Sequence, residues 1–107
     1  MDNDAIADIF AGLGPVQIRR MFGGKGIYFN GRIFALVVDG ELLLKADDES
    51  APVFQAAGCR QWNYGSSRLK KNVAMPYWSV PPEALDDPDE MTPWASLAVE
   101  ASMRSRK

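Results

Sequence analysis

A chain of 107 residues, 47% hydrophobic and 24% charged, is long enough to bury one modest core and too apolar to stay disordered. It holds no histidine and a single cysteine, Cys59, which excludes an intrachain disulfide, a thiolate zinc cluster and any nucleophile that relies on an imidazole base. A net charge of −2 with a pI near 5.0 lacks the basic excess of a dedicated nucleic-acid domain. The acidic start Met1-Asp2-Asn3-Asp4 is no signal peptide, and no apolar run approaches the roughly 20 residues of a membrane span. The expectation is one domain over 1–107, cytoplasmic and off the membrane.

Asn3 to Leu13 reads as an amphipathic helix, because Ile6, Ile9, Phe10 and Leu13 share one face. Asp2 or Asn3 caps its start, and Gly12, Gly14 and Pro15 stop it. Val16 to Phe22 alternates imperfectly as a strand. A glycine-rich turn, Gly23-Gly24-Lys25-Gly26, leads into a short strand over Ile27 to Phe29. Asn30-Gly31 and Asp39-Gly40 are hairpin signals for turns with positive φ at both positions. Between them Arg32 to Val38 is nearly continuous apolar sequence, as in a central strand, and Glu41 to Ala46 pairs back. These strands form an antiparallel meander.

Asp47 to Ala57 reads as a helix, with Asp47, Asp48 or Ser50 as cap, Pro52 in the first turn and Gly58 closing it. Cys59 to Tyr64 and Leu69 to Trp78 are strands around Gly65-Ser66-Ser67, with Pro76 marking an edge or a strand end. Val80 to Leu85 is a turn. A short turn from Pro88 and a helix from about Pro93 to Met103 follow, since an interior Pro93 would lose a hydrogen bond. Trp94, Leu97, Ala98 and Ala101 would line its buried face, and the chain frays from about Ser102. The order α-β(3–4)-α-β(2)-α predicts an α+β fold: one antiparallel meander sheet with its helices mostly on one face.

Charge falls in blocks of alternating sign. Arg19, Arg20, Lys25 and Arg32 form one basic block, and Arg60, Arg68, Lys70 and Lys71 another, with acids before, between and after them. The glycine-rich stretch tempts toward a phosphate loop. Such a loop needs a helix to follow, and a strand follows here, so a backbone turn or bulge is the better reading. Arg19, Arg20, Lys25, Arg68, Lys70 and Lys71 are the candidate interaction surface, with Trp62, Tyr64 and Trp78 as aromatic company for nucleic acid. A solvated sheet face outweighs that reading. Asp86, Asp87, Asp89 and Glu90 lack the spacing of a calcium loop and read as helix caps. Cys59 without a base reads as a small apolar residue, although Arg60 beside it would favour the thiolate. No catalytic set, metal site or cofactor site can be assembled.

Arg20-Met21-Phe22-Gly23-Gly24-x-Gly26-Ile27-Tyr28, then Gly31, Phe34-Ala35, Asp39-Gly40 and Leu44-Lys45, resembles the N-terminal domain of the TfoX/Sxy competence-regulator family. Ala56-Ala57-Gly58, Met75-x-Tyr77, Pro81-x-Glu83, Asp87-Pro88 and Pro93-Trp94-Ala95 continue the likeness. Met21, Phe22, Gly23, Gly24, Gly26, Tyr28, Gly31, Asp39, Gly40 and Trp94 are its structural motif positions. The resemblance implies an α+β domain without catalytic residues and a link to DNA-uptake competence. Fuller members act as co-activators with the cyclic-AMP receptor protein and carry a C-terminal domain, for which 107 residues leave no room. The expected function is a non-enzymatic protein-interaction domain, with a transcription factor or a second copy as partner. The alternatives are nucleic-acid binding through the basic residues and anion binding at Gly23 to Gly26.

Overall fold

The computed structural model describes residues 1–21, 23–66 and 71–105, with only the backbone of 65, 66, 71 and 72. Phe22, Arg68 and Lys70 lie outside the described residues, as does the Lys71 side chain. Helix α1 (Asn3–Ile9) is followed by strands β1 (Gln17–Met21), β2 (Gly24–Phe29), β3 (Arg32–Val38) and β4 (Glu41–Lys45). Helix α2 (Ala51–Ala56), strands β5 (Gln61–Ser66) and β6 (Lys71–Trp78), and helices α3 (Pro82–Asp86) and α4 (Pro88–Arg104) complete the order. The six strands make one antiparallel sheet in the order β1-β2-β3-β4-β6-β5, an α+β architecture.

Both hairpin signals act as expected. Asn30 (φ 51°) and Gly31 (φ 80°) join β2 to β3, and Asp39 (φ 51°) and Gly40 (φ 78°) join β3 to β4. Positive φ at both central residues matches the twist of the flanking strands. The β2–β3 register shifts at Ile27/Tyr28, so Ile27 pairs with Ala35 and Tyr28 with Ile33. Phe34 is the extra residue, and this bulge buries both Phe34 and Ala35 completely. The Phe34 ring meets Phe10 edge-on, at 5.1 Å between centroids, which fastens the end of α1 to the sheet.

α1 is shorter than its periodicity predicts. Beyond Ile9 the chain tightens into turns in which Leu13 and Gly14 both donate to the Phe10 carbonyl. Gly12 there lies so close to Thr92 of α4 that a Cβ would strike its Oγ1.

The expected break at Pro93 is corrected. α4 runs unbroken from Pro88 to Arg104 with Pro93 inside it. Asp87 caps it by accepting the Asp89 amide at 2.9 Å, and the Met91 amide donates to the Asp87 carbonyl. Met91, Ala95, Ala98 and Ala101 are fully buried along one stripe. Seating Met91 in the core holds the first turn in line with the rest and offsets the bond that Pro93 does not donate. Trp94 and Leu97 flank the stripe, half-buried, and the Trp94 ring lies 5.0 Å from that of Phe54. The expected fraying from Ser102 is also corrected, because Ser102 is buried and donates to the Val99 carbonyl. α4 packs across β3 and β4. Ile27, Ala35, Leu42 and Leu44 meet it from the sheet and leave the opposite face of the strands uncovered by any described helix.

Candidate interaction site on the open face of the sheet

Strand alternation and register decide which side chains reach the open face. Arg19 and Met21 of β1 stand across from Gly26 and Gly24 of β2, with Tyr28 on the same side. The next strands add Leu36 and Val38, then Leu43 and Lys45. Lys45 pairs with Tyr77 of β6, whose alternation brings Met75 and Val73 to this side, and Tyr64 of β5 pairs with Val73.

β6 joins β4 at Leu44↔Trp78 and Lys45↔Tyr77, near the base of the β5–β6 hairpin. Beyond that base the hairpin stands away from β4 and faces the sheet across a groove of about 340 Å³. Gly24, Leu36 and Val38 form the floor, Met21 one wall, and Trp62, Tyr64 and Met75 the other. The Trp62 and Tyr64 rings pack edge-on at 5.9 Å, and the bond from Gln61 Nε2 to the Met75 carbonyl, 3.0 Å, ties β5 to β6 beside them. Tyr64 (62% exposed) and Met21 (39% exposed) are large apolar surfaces open to solvent, whereas Leu43 on the same face of the sheet is only 3% exposed.

The glycines build this groove. A Cβ on Gly24 would strike the Val37 carbonyl oxygen. A Cβ on Gly26 would sit 2.9 Å from Met21 Sδ and 3.1 Å from Ile33 Cδ1. Without one, Met21 lies down against β2 and forms the wall. The expected turn over Gly23 to Gly26 is corrected: of the four only Gly23 (φ 66°) turns the chain, and Gly24, Lys25 and Gly26 already pair with β1 inside β2.

Charge on this face is sparse. The Arg19 guanidinium lies 5.2 Å from the centre of the Tyr28 ring. Burial lowers the Lys45 pKa, against a smaller opposing pull from Asp47. Burial likewise raises the Tyr77 pKa, with a smaller contribution from Tyr28. Among the described residues, the carboxylate brought to this face by register is Glu41, which pairs with Arg60 at 3.6 Å.

The expected basic surface divides. Arg20 and Lys25 are cross-strand partners on the side opposite Arg19. Lys25 Nζ donates to Asn3 Oδ1 (2.8 Å) and to the Met1 carbonyl (3.2 Å), so it ties β2 to the start of α1. Arg20, Lys25 and Gly23 line a cleft of about 360 Å³ that also contains Asp39. Its acid and its committed lysine make it a poorer anion cradle than the glycines suggested. Cys59 is half-buried, and burial raises its pKa, so the expectation that Arg60 promotes its thiolate is corrected. No group of three or more acidic, histidine or cysteine side chains among the described residues can hold a metal ion.

The groove combines Met21 and Gly24, with Gly26 leaving room for Met21, and Met75 of the later Met75-x-Tyr77 strand. A family model, the TfoX N-terminal domain, matches residues 8–102 and spans these positions. The chain belongs to the TfoX N-terminal domain family. That family is linked to competence regulation. Comparison with curated proteins finds no match. In this TfoX N-terminal domain the most distinctive motif residues thus shape the floor and one wall of the open-face groove. Sequence reasoning missed Leu36 and Val38 as neighbours of Trp62, Tyr64 and Met75. Alternation within each strand was visible, but only strand order could place the two groups together.

Proposed function

We propose that this TfoX N-terminal domain is a non-enzymatic docking module that serves regulation by binding another protein in the open-face groove. The observation that carries the reading is the apolar groove itself, about 340 Å³ with Met21, Trp62, Tyr64 and Met75 on its walls. Aromatic and methionine side chains are the usual anchors of protein interfaces. The absence of an imidazole from the whole sequence removes the commonest general base and supports a role without catalysis.

Affinity capture from the native cell tests the reading, run in parallel with wild type and Met75→Glu. A carboxylate in the groove wall opposes apolar docking without entering the main core. The expected outcome is a protein retained by wild type and lost by the variant, with both chains melting cooperatively. Recovery of the same proteins by both would refute the reading.

A further inference from the structure

The groove also carries information about what it binds. Among the described residues its positively charged neighbours by register are Arg19 and Lys45, and Lys25, held by Asn3 and the Met1 carbonyl, also lines it. Among the described residues, neither Arg19 nor Lys45 has a carboxylate within 4.0 Å. Glu41 on the same face is neutralised by Arg60, and Asp47, near Lys45, is engaged by Arg104 at 2.7 Å. The groove is therefore lined mostly by apolar side chains, with the positive charge of Arg19 unpaired beside it and that of Lys45 only partly offset by Asp47, although the whole chain has a net charge of −2.

From this charge pattern we infer that the groove binds an acidic amphipathic segment of another protein, with large apolar side chains seated between Met21 and Trp62/Tyr64 and carboxylates reaching Arg19 and Lys45. The inference rests on the docking reading above. A groove of about 340 Å³ suits a few anchoring side chains of a segment rather than a whole domain face. Complementary charge would speed encounter and select the partner more than it would add raw affinity.

Two features favour a protein segment over single-stranded nucleic acid. The Trp62 and Tyr64 rings meet at 72°, not as parallel shelves for stacked bases. The Tyr28 face is already covered by Arg19. A second copy docking through the same face would bring the same positive charges and fit less well.

Panning a displayed library of short random peptides on the wild-type domain tests the inference. Enriched peptides should combine Leu, Phe or Trp with an excess of Asp and Glu. A synthetic version should bind more weakly as salt rises, and Arg19→Glu should weaken it by about tenfold. Tyr64→Glu should weaken it as well, and Tyr64 is exposed enough that the change leaves the core alone. Enrichment of neutral or basic peptides that Tyr64→Glu still weakens would overturn the acidic partner and leave the docking reading standing. Peptides bound equally by wild type, Tyr64→Glu and Met75→Glu would overturn both. Displacement of the peptide by oligothymidylate would overturn the choice of a protein segment.

Discussion

Asp47 shows how much one residue at an element boundary can organise. Its Oδ1 accepts the amides of Glu49 and Ser50, both at 3.1 Å, and shapes the turn into α2. Ser50 stands at the N-cap position but makes no capping bond there; its hydroxyl instead accepts the Asp47 amide. Arg104 of α4 grips the same carboxylate with two bonds, Nε to Oδ2 at 2.7 Å and Nη2 to Oδ1 at 2.9 Å. These bonds, those from Arg104 first, hold the carboxyl well below the ordinary value of 3.8. A depressed folded-state pKa stabilises the fold above the unfolded value and ceases to do so as pH falls through the folded one. Wild type should therefore lose stability to acid below about pH 4, and Asp47→Asn should lose distinctly less over that interval while being weaker at pH 7. Thermal melts across pH 2 to 7, bounds set by that carboxylate range, measure it. Parallel curves for the two chains would remove Asp47 from the acid response.

At the scale of the element, α4 opposes local preference to packing. Pro93 lies well inside the helix, donates no amide hydrogen and crowds the turn before it. The helix continues because Met91, one turn from its start, is fully buried and Asp87 caps it. Thr92 donates to the Pro88 carbonyl at 2.8 Å and gives that turn a further bond. Pro93→Ala restores the missing donor, so denaturant melts should show stabilisation of about 1–3 kcal/mol. An unchanged or lower midpoint would mean that the turn is already relaxed around the proline. The alanine stripe of the same helix serves a different end. Ala95, Ala98 and Ala101 let it approach β3 and β4 closely, while Trp94 leans outward onto Phe54.

At the scale of the molecule, the sheet is held unevenly. β2 and β3 pair along their whole lengths inside the sheet, with β3 and β4 at its centre and α4 across them. The β5–β6 hairpin is fastened near its base, through Leu44↔Trp78, Lys45↔Tyr77 and the bonds of Ala46 to the Pro76 carbonyl and Ser79 to the Arg60 carbonyl. It therefore has fewer supports than the meander and forms one wall of the groove. Local opening follows local support. Amide exchange should be roughly tenfold or more faster at Asn63 and Tyr64 than at Ile27 and Leu36. Equal protection would mean that the hairpin opens only when the whole domain does. A hairpin that opens separately would also let the groove adjust its width to a bound segment.

The local parts of this fold were legible in the amino-acid sequence. Asn30-Gly31 and Asp39-Gly40 specify their turns because few residue pairs tolerate positive φ twice, and the apolar run of β3 specifies a buried strand. The motif from Arg20 to Tyr28 pointed to the family only together with the later matches through Pro93-Trp94-Ala95. What lay beyond reach depends on contacts between distant residues. Burial of Met91 overrides Pro93. Arg104 reaches Asp47 across 57 positions. The register of β1 against β2 sends Arg19 to one face and Arg20, with Lys25, to the other. The glycines after Met21 looked like a turn joining two strands. Tertiary structure puts Gly24 and Gly26 inside β2 and makes Gly24 part of the floor of a groove, because a side chain at Gly24 or Gly26 would collide with β3 or with Met21, and that exclusion exists only once the strands are paired.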